Sequence, residues 1–215
     1  MKNFTTTTFI ALLMTIATVA FANDDAKVYN GTVTLENGET LVGQIQMLSP
    51  TLNEVKVKFI SEDGVTKTYK AKEVAAYSFQ FPKYDYKTKT YNNEVVEYVK
   101  KEVAVSPVPF GAKEVLVERQ AEGTINLYNF YAETRQASHA YAHNYFVEKD
   151  GQMIEVNREN FKSVLKDLVA DYPELRAKVG KKGYGYSKIS KIITEYNDNT
   201  AEQGEMFGMT ETAPF

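Results

Sequence analysis

Apolar and polar residues alternate with a period of two through most of the chain, and the period lengthens to about 3.6 only near the C-terminal end. Val33 and Leu35 share one face of a predicted strand over 28–35, and Leu41, Ile45 and Met47 share a face of its return over 40–47. Between them Asn37-Gly38 predicts a type I′ hairpin turn, because both residues tolerate positive φ. Gly43 interrupts the return strand and predicts a bulge or bend. Beyond the Ser49-Pro50 break, Val55, Val57 and Phe59 alternate with Lys56 and Lys58, a strand with one wet face. Asp63-Gly64 predicts a second hairpin turn, Thr66 to Ala71 its return, and Val74 to Phe79 one more short strand. The expected form of this region is a small SH3-like barrel or a curled antiparallel sheet.

Phe81 to Lys87 reads as an exposed aromatic loop, and Glu94 to Val105 as a strand. Ser106 to Gly111 carries two prolines that cannot donate ladder hydrogen bonds, so the internal boundary is placed there. Two further hairpins follow, Val115 to Tyr131 and Tyr141 to Val156, the second turning at Asp150-Gly151. Phe161, Val164, Leu165, Leu168, Val169 and Tyr172 then fall on one helical stripe. Asn157 is its expected N-cap, and Pro173 ends the helix and starts a short one closed by Gly180. Ile189, Ile192, Ile193 and Tyr196 form the stripe of a last helix capped by Ser187. The fold class is therefore α+β: a β-rich N-terminal half, then β-hairpins followed by two or three C-terminal helices. The predicted boundaries are a signal peptide at 1–22, a β-rich domain at 23–105, hairpins and helices at 106–197, and a disordered tail at 198–215.

Lys2, an apolar run from Phe9 through Ala20 and the small-x-small sequence Ala20-Phe21-Ala22 predict export with cleavage after Ala22. That run falls well short of the roughly 20 residues that span a bilayer as a helix, and charges interrupt every later one. The mature chain is thus expected to be soluble, without a transmembrane span, in the periplasm or outside the cell. Its 215-residue precursor has no cysteine, so an exported product holds together by packing alone. With 25 basic and 28 acidic side chains, the net charge of −3 gives no footprint for nucleic acid.

Candidate chemistry is sparse. His139 and His143, four apart, share a face on a helix or a strand, where zinc could bind with Glu133 or Glu148. They lack an H-E-x-x-H pattern, and two half-exposed histidines beside a strand is the simpler reading. Gly180 to Gly185 precedes a helix as a phosphate cradle does, but lacks the G-x-x-x-x-G-K-[ST] order, so it is read as a turn between helices. No nucleophile elbow and no Cys/His pair exists, and no catalytic residue or cofactor is assigned. Tyrosine is the one excess, 15 residues with no tryptophan. Tyr84, Tyr86 and Tyr91 cluster among lysines outside any core pattern and form the expected binding surface, with ordinary β-surface packing as the competing reading. Tyr184 and Tyr186 lie outside the core pattern in the same way.

The leader, the Gly31…Asn37-Gly38-Glu39-Thr40-Leu41-x-Gly43-x-Ile45 hairpin, Gly123-x-x-x-Leu127-Tyr128, the Asp171-Tyr172-Pro173-Glu174-Leu175 junction and the closing Tyr196-Asn197 together resemble a group of uncharacterised exported proteins of Bacteroidetes-type bacteria. The resemblance implies export and a β-rich fold over about 28–197, and no catalytic residues. The first hairpin also resembles the opening of Sm-like and SH3-like barrels, without their RNA-binding signature. The expected function is a non-catalytic envelope protein that binds an envelope protein or a cell-wall component. The alternative is a metal-dependent hydrolase centred on His139 and His143.

Overall fold

A computed structural model describes residues 27–103, 113–133 and 141–208; the leader, the Ser106–Gly111 segment and His139 lie outside the described residues. Ten strands form one antiparallel sheet in the order β10-β9-β8-β7-β6-β5-β1-β2-β3-β4. They are β1 (Val28–Leu35), β2 (Thr40–Gln46), β3 (Lys56–Ile60), β4 (Thr66–Lys70), β5 (Val74–Asp85), β6 (Thr90–Val103), β7 (Lys113–Ala121), β8 (Asn126–Glu133), β9 (Tyr141–Lys149) and β10 (Gln152–Val156). The helices are α1 (Pro50–Asn53), α2 (Phe161–Leu168), α3 (Pro173–Lys178) and α4 (Ile189–Gly208). β6 pairs with β7 from Glu97–Arg119 to Val103–Lys113, so the sheet runs on across the expected internal boundary.

The chain order forces the front of the sheet to curl. β5 lies beside β1, four strand steps from β4, which is about 19 Å in a flat sheet. Yet only the 3₁₀ turn Ala71–Glu73 links β4 to β5, and four peptide steps reach at most ~15 Å. Glycine makes the curl possible. Gly31 pairs with Gly43 across β1 and β2. A Cβ on Gly31 would sit 2.2 Å from the Ser78 carbonyl oxygen, and one on Gly43 2.7 Å from the Phe59 ring. Gly43 therefore marks close approach, and the register shift expected there occurs instead between Thr34 and Leu35, against β5. Gly31→Ala is expected to cost about 1–3 kcal/mol, the range for overpacking, read as a lower urea midpoint at unchanged slope. The curl stops short of closure, so the barrel expectation is replaced by an open sheet. Its outer edge, β4, exposes Lys67 and Lys70, charges of the kind that discourage edge-to-edge pairing.

Alternation assigns the cores. Val33, Ile45, Val57, Phe59, Tyr77, Phe79, Tyr98 and Leu116 fill the inside of the front curl. Leu127, Val147 and Val156, on the same face farther along, meet the helical layer of Phe161, Leu165, Val169, Leu175, Ile189, Ile192, Ile193 and Tyr196. Val103, Val115, Val117, Tyr128 and Phe146 form a third cluster on the opposite face. Over that cluster Lys101 of β6 reaches Glu148 of β9 at 2.8 Å, passing 5.0 Å from the Tyr128 ring centre, so the sheet is strongly coiled there as well.

The residues of both helical stripes pack into the helical core, but the helix bounds differ: α2 ends at Leu168 rather than near Tyr172, and Ser187, the expected cap of the last helix, lies inside the 3₁₀ turn Tyr186–Lys188 that precedes α4. Asn160, not Asn157, is the N-cap of α2, while Asn157 Oδ1 accepts the N–H groups of Glu159 and Asn160. α4 continues helical to Gly208, past the point at which the tail was expected to begin; 209–215 lie outside the described residues.

Candidate functional site

The expected aromatic loop is a strand end. β5 and β6 pair as far as Asp85–Thr90, but β1 leaves β5 at Phe79 and β7 leaves β6 at Glu97. Residues 80–96 thus continue as a two-stranded ribbon whose edges pair with no other strand among the described residues, with Phe81 against Tyr29 and Val96 against the front core at its base. Its sequence explains why no core forms around it: Lys83, Asp85, Lys87, Lys89, Asn92, Asn93 and Glu94 place polar side chains on both faces. Asp85 shapes the tip by accepting the Lys87 N–H at 2.8 Å, and that bond draws its carboxyl below the usual range. Lys83 and Glu94 pair at 2.9 Å in full solvent, which contributes little.

Tyr84 and Tyr91 are direct cross-strand partners, with ring centres 5.0 Å apart. Tyr86, in the turn, meets Tyr84 edge-on, also at 5.0 Å. Their exposures are 36%, 72% and 85% for Tyr84, Tyr91 and Tyr86, so the structure joins the three residues without burying them. Tyr184 and Tyr186 behave differently: both pack partly into the helical core. The Gly180–Gly185 loop spends its polar groups on itself, with Gly180 N–H to Tyr184 O at 2.8 Å and Tyr184 N–H to Lys181 O at 2.9 Å.

His143 is exposed on β9, its Nδ1 3.2 Å from the Asn129 amide oxygen and its ring 5.0 Å from that of Tyr131. Among the described residues no three His, Asp or Glu side chains come together to hold a metal.

A second feature carries no signature in the sequence. Val33, Tyr77, Tyr98, Glu118, Asn129 and Tyr145 face one another in a row across β1, β5, β6, β7, β8 and β9. Beyond the Glu118–Asn129 pair, β7 and β8 fork, although the same register would go on to match Val117 with Phe130 and then Leu116 with Tyr131. Glu54, the residue after α1, fills the fork. Its carbonyl accepts Leu116 N–H at 2.8 Å, and its carboxyl accepts Tyr131 N–H. α1 is held in place by Asn53, whose side chain bonds both polar groups of the Leu48 backbone and whose carbonyl accepts the Tyr77 hydroxyl at 3.1 Å. Glu54 is 2% exposed. Burial pushes its carboxyl up to about 8; the Tyr131 N–H opposes this, and the Glu118 charge adds to it. Glu118 in turn accepts Tyr131 Oη at 2.9 Å, Asn129 Nδ2 at 3.3 Å and Gln120 Nε2 at 2.6 Å. Burial raises the tyrosine hydroxyls of the same cluster, Tyr77, Tyr98 and Tyr131, so they remain neutral. No local pattern marks Glu54 as buried, since its partners lie on strands far along the chain.

No helix among the described residues is long and apolar enough to cross a membrane. Comparison with known proteins finds no family model, no curated protein and no solved structure that matches the chain.

Proposed function

We propose that the protein is an exported, non-catalytic envelope module that binds a protein or cell-wall partner through the tip of the β5–β6 ribbon. The observation that carries this reading is the exposed trio of Tyr84, Tyr86 and Tyr91 on a projection that no core requires. Tyrosine offers a broad apolar ring with a polar tip at low entropic cost, which suits a contact surface. An isolated two-stranded ribbon is only marginally stable in water. Keeping three large rings at its end is therefore better explained by contact with a partner than by folding. Export rests on the N-terminal pattern of Lys2, the apolar run and Ala20-Phe21-Ala22.

The test is retention of partners from an envelope extract by the immobilised mature chain, with and without Tyr84→Ser/Tyr86→Ser/Tyr91→Ser. The substitutions are expected to change unfolding by less than about 0.5 kcal/mol, the scale of surface changes, and to abolish retention. Undiminished retention by the folded variant would exclude the ribbon as the contact surface. If the triple change disturbs folding, Tyr86→Ser alone, at the most exposed of the three positions, gives the same decision.

A further inference from the structure

The geometry points to Glu54 as a proton-operated latch, which closes the fork between β7 and β8 while protonated and leaves it when ionised. The fork needs a guest. Leu116 and Tyr131 stand where ladder partners would stand, and each directs its N–H at Glu54 rather than at the other strand. One residue thus does, with a backbone carbonyl and a side-chain carboxyl, what a strand-to-strand pair does elsewhere in the sheet. A neutral carboxyl suits that position, because it accepts one N–H and carries no charge into a buried site.

An ionised carboxylate does not suit it. The groups that face Glu54 are Glu118 on β7, Tyr131 on β8, Tyr77 on β5 and Tyr98 on β6, all of them anionic or neutral. His143 of β9 stands behind Tyr131 and is turned to Asn129. Lys100, on the Tyr98 side of β6, is held by Glu36 at 2.9 Å and by Glu114 at 3.7 Å. Lys56 and Lys58 of β3 alternate to the face opposite buried Val57, while Lys72 and Glu73 of the Ala71–Glu73 turn are exposed. No cation among the described residues is therefore placed to take the charge, and Glu118 repels it. The direction of the pH effect follows. A carboxyl held above its unfolded value stabilises the closed form fully below about 4.5, and that contribution is lost as pH rises through about 8. The proton goes to solvent, and the segment that moves is short: α1 and the turn around it, fastened chiefly by Asn53 and by the two bonds of Glu54.

Amide exchange of the full mature chain tests the latch. Protection factors, which divide out the intrinsic pH dependence, would be measured for Leu116 and Tyr131 from pH 6 to 9.5. In the natural sequence both are expected to fall at least tenfold between pH 6 and about 8 and to level off above it, while Val33 and Val147 keep theirs. Glu54→Gln retains the acceptor without the charge and should hold both amides protected throughout. Glu118→Gln removes the repelling charge and should bring the levelling-off to lower pH. Flat protection in the natural sequence, the same fall in Glu54→Gln, or a fall shared equally by Val33 and Val147 would overturn the latch. Should Glu54→Gln fail to fold, Glu118→Gln decides alone: an unmoved levelling-off overturns it.

Discussion

Leu165→Ala is expected to destabilise the protein by about 2–5 kcal/mol, the range for emptying a well-packed apolar site. Leu165 has no exposed surface and sits at the centre of the α2 stripe, against the helical core that covers β8, β9 and β10. The deleted atoms leave a cavity in a cluster rich in β-branched residues, Val147, Val156, Ile192 and Ile193 among them, whose stiff side chains relax poorly. Leu168→Ala should cost less than Leu165→Ala, because Leu168 keeps 9% of its surface exposed at the end of α2. Urea unfolding monitored by far-UV circular dichroism measures both. A loss under about 0.5 kcal/mol for Leu165→Ala would place the stripe in solvent and contradict this packing.

The second large effect is expected at Asn197. Its side chain docks α4 onto the turn between β7 and β8: Oδ1 accepts Ile125 N–H at 2.9 Å, and Nδ2 donates to Ile125 O at 2.8 Å and to Glu122 O at 3.3 Å. Ile125 is fully buried, so both of its backbone groups depend on this one amide. Gly123 makes room for it, since a Cβ there would lie 2.6 Å from Asn197 Cγ. Asn197→Ala leaves both backbone groups of Ile125 without this partner, at about 1–3 kcal/mol for each unsatisfied group, so a total of about 2–6 kcal/mol is expected. Asn197→Asp tests the mechanism separately. It keeps the acceptor for Ile125 N–H but sets a carboxylate against two carbonyl oxygens, and should be at least as damaging near neutral pH. If Asn197→Ala unfolds at the natural midpoint, α4 is held by its apolar stripe alone.

Features set by neighbours along the chain are legible in the sequence itself. Asn37-Gly38, Asp63-Gly64 and Asp150-Gly151 turn where they stand because positive φ is a local property, but only Asp150-Gly151 adopts it at both residues; at Asn37-Gly38 the glycine alone does, so the type I′ turn expected there is not the one formed. The α2 and α4 stripes are legible for the same reason: a helix face is defined by spacing along one segment. Pro173 likewise starts α3 through its own ring. Tyr84, Tyr86 and Tyr91 stand out because Lys83, Asp85, Lys87, Lys89, Asn92 and Asn93 interleave with them and leave no apolar period that a core could bury.

What the tertiary structure decided depends on residues distant in sequence. Periodicity marks the strands of the front half but does not say whether they close, because closure depends on which strand lies beside β1 and how tightly Gly31 and Gly43 let it approach. The aromatic segment is a ribbon rather than a loop because β1 and β7 end their pairing early on either side of it. α4 extends past Tyr196 beyond the last strong apolar stripe, where Thr200 bonds Thr124 at 2.9 Å across the β7–β8 turn. Glu54 is the clearest case. In the sequence it is one acid after a short turn, indistinguishable from the solvated ones. Its burial arises only when Tyr131, 77 positions away, and Leu116 present N–H groups that no strand satisfies. Local chemistry determines turns and faces, whereas the protonation of a buried group depends on what the whole fold brings against it.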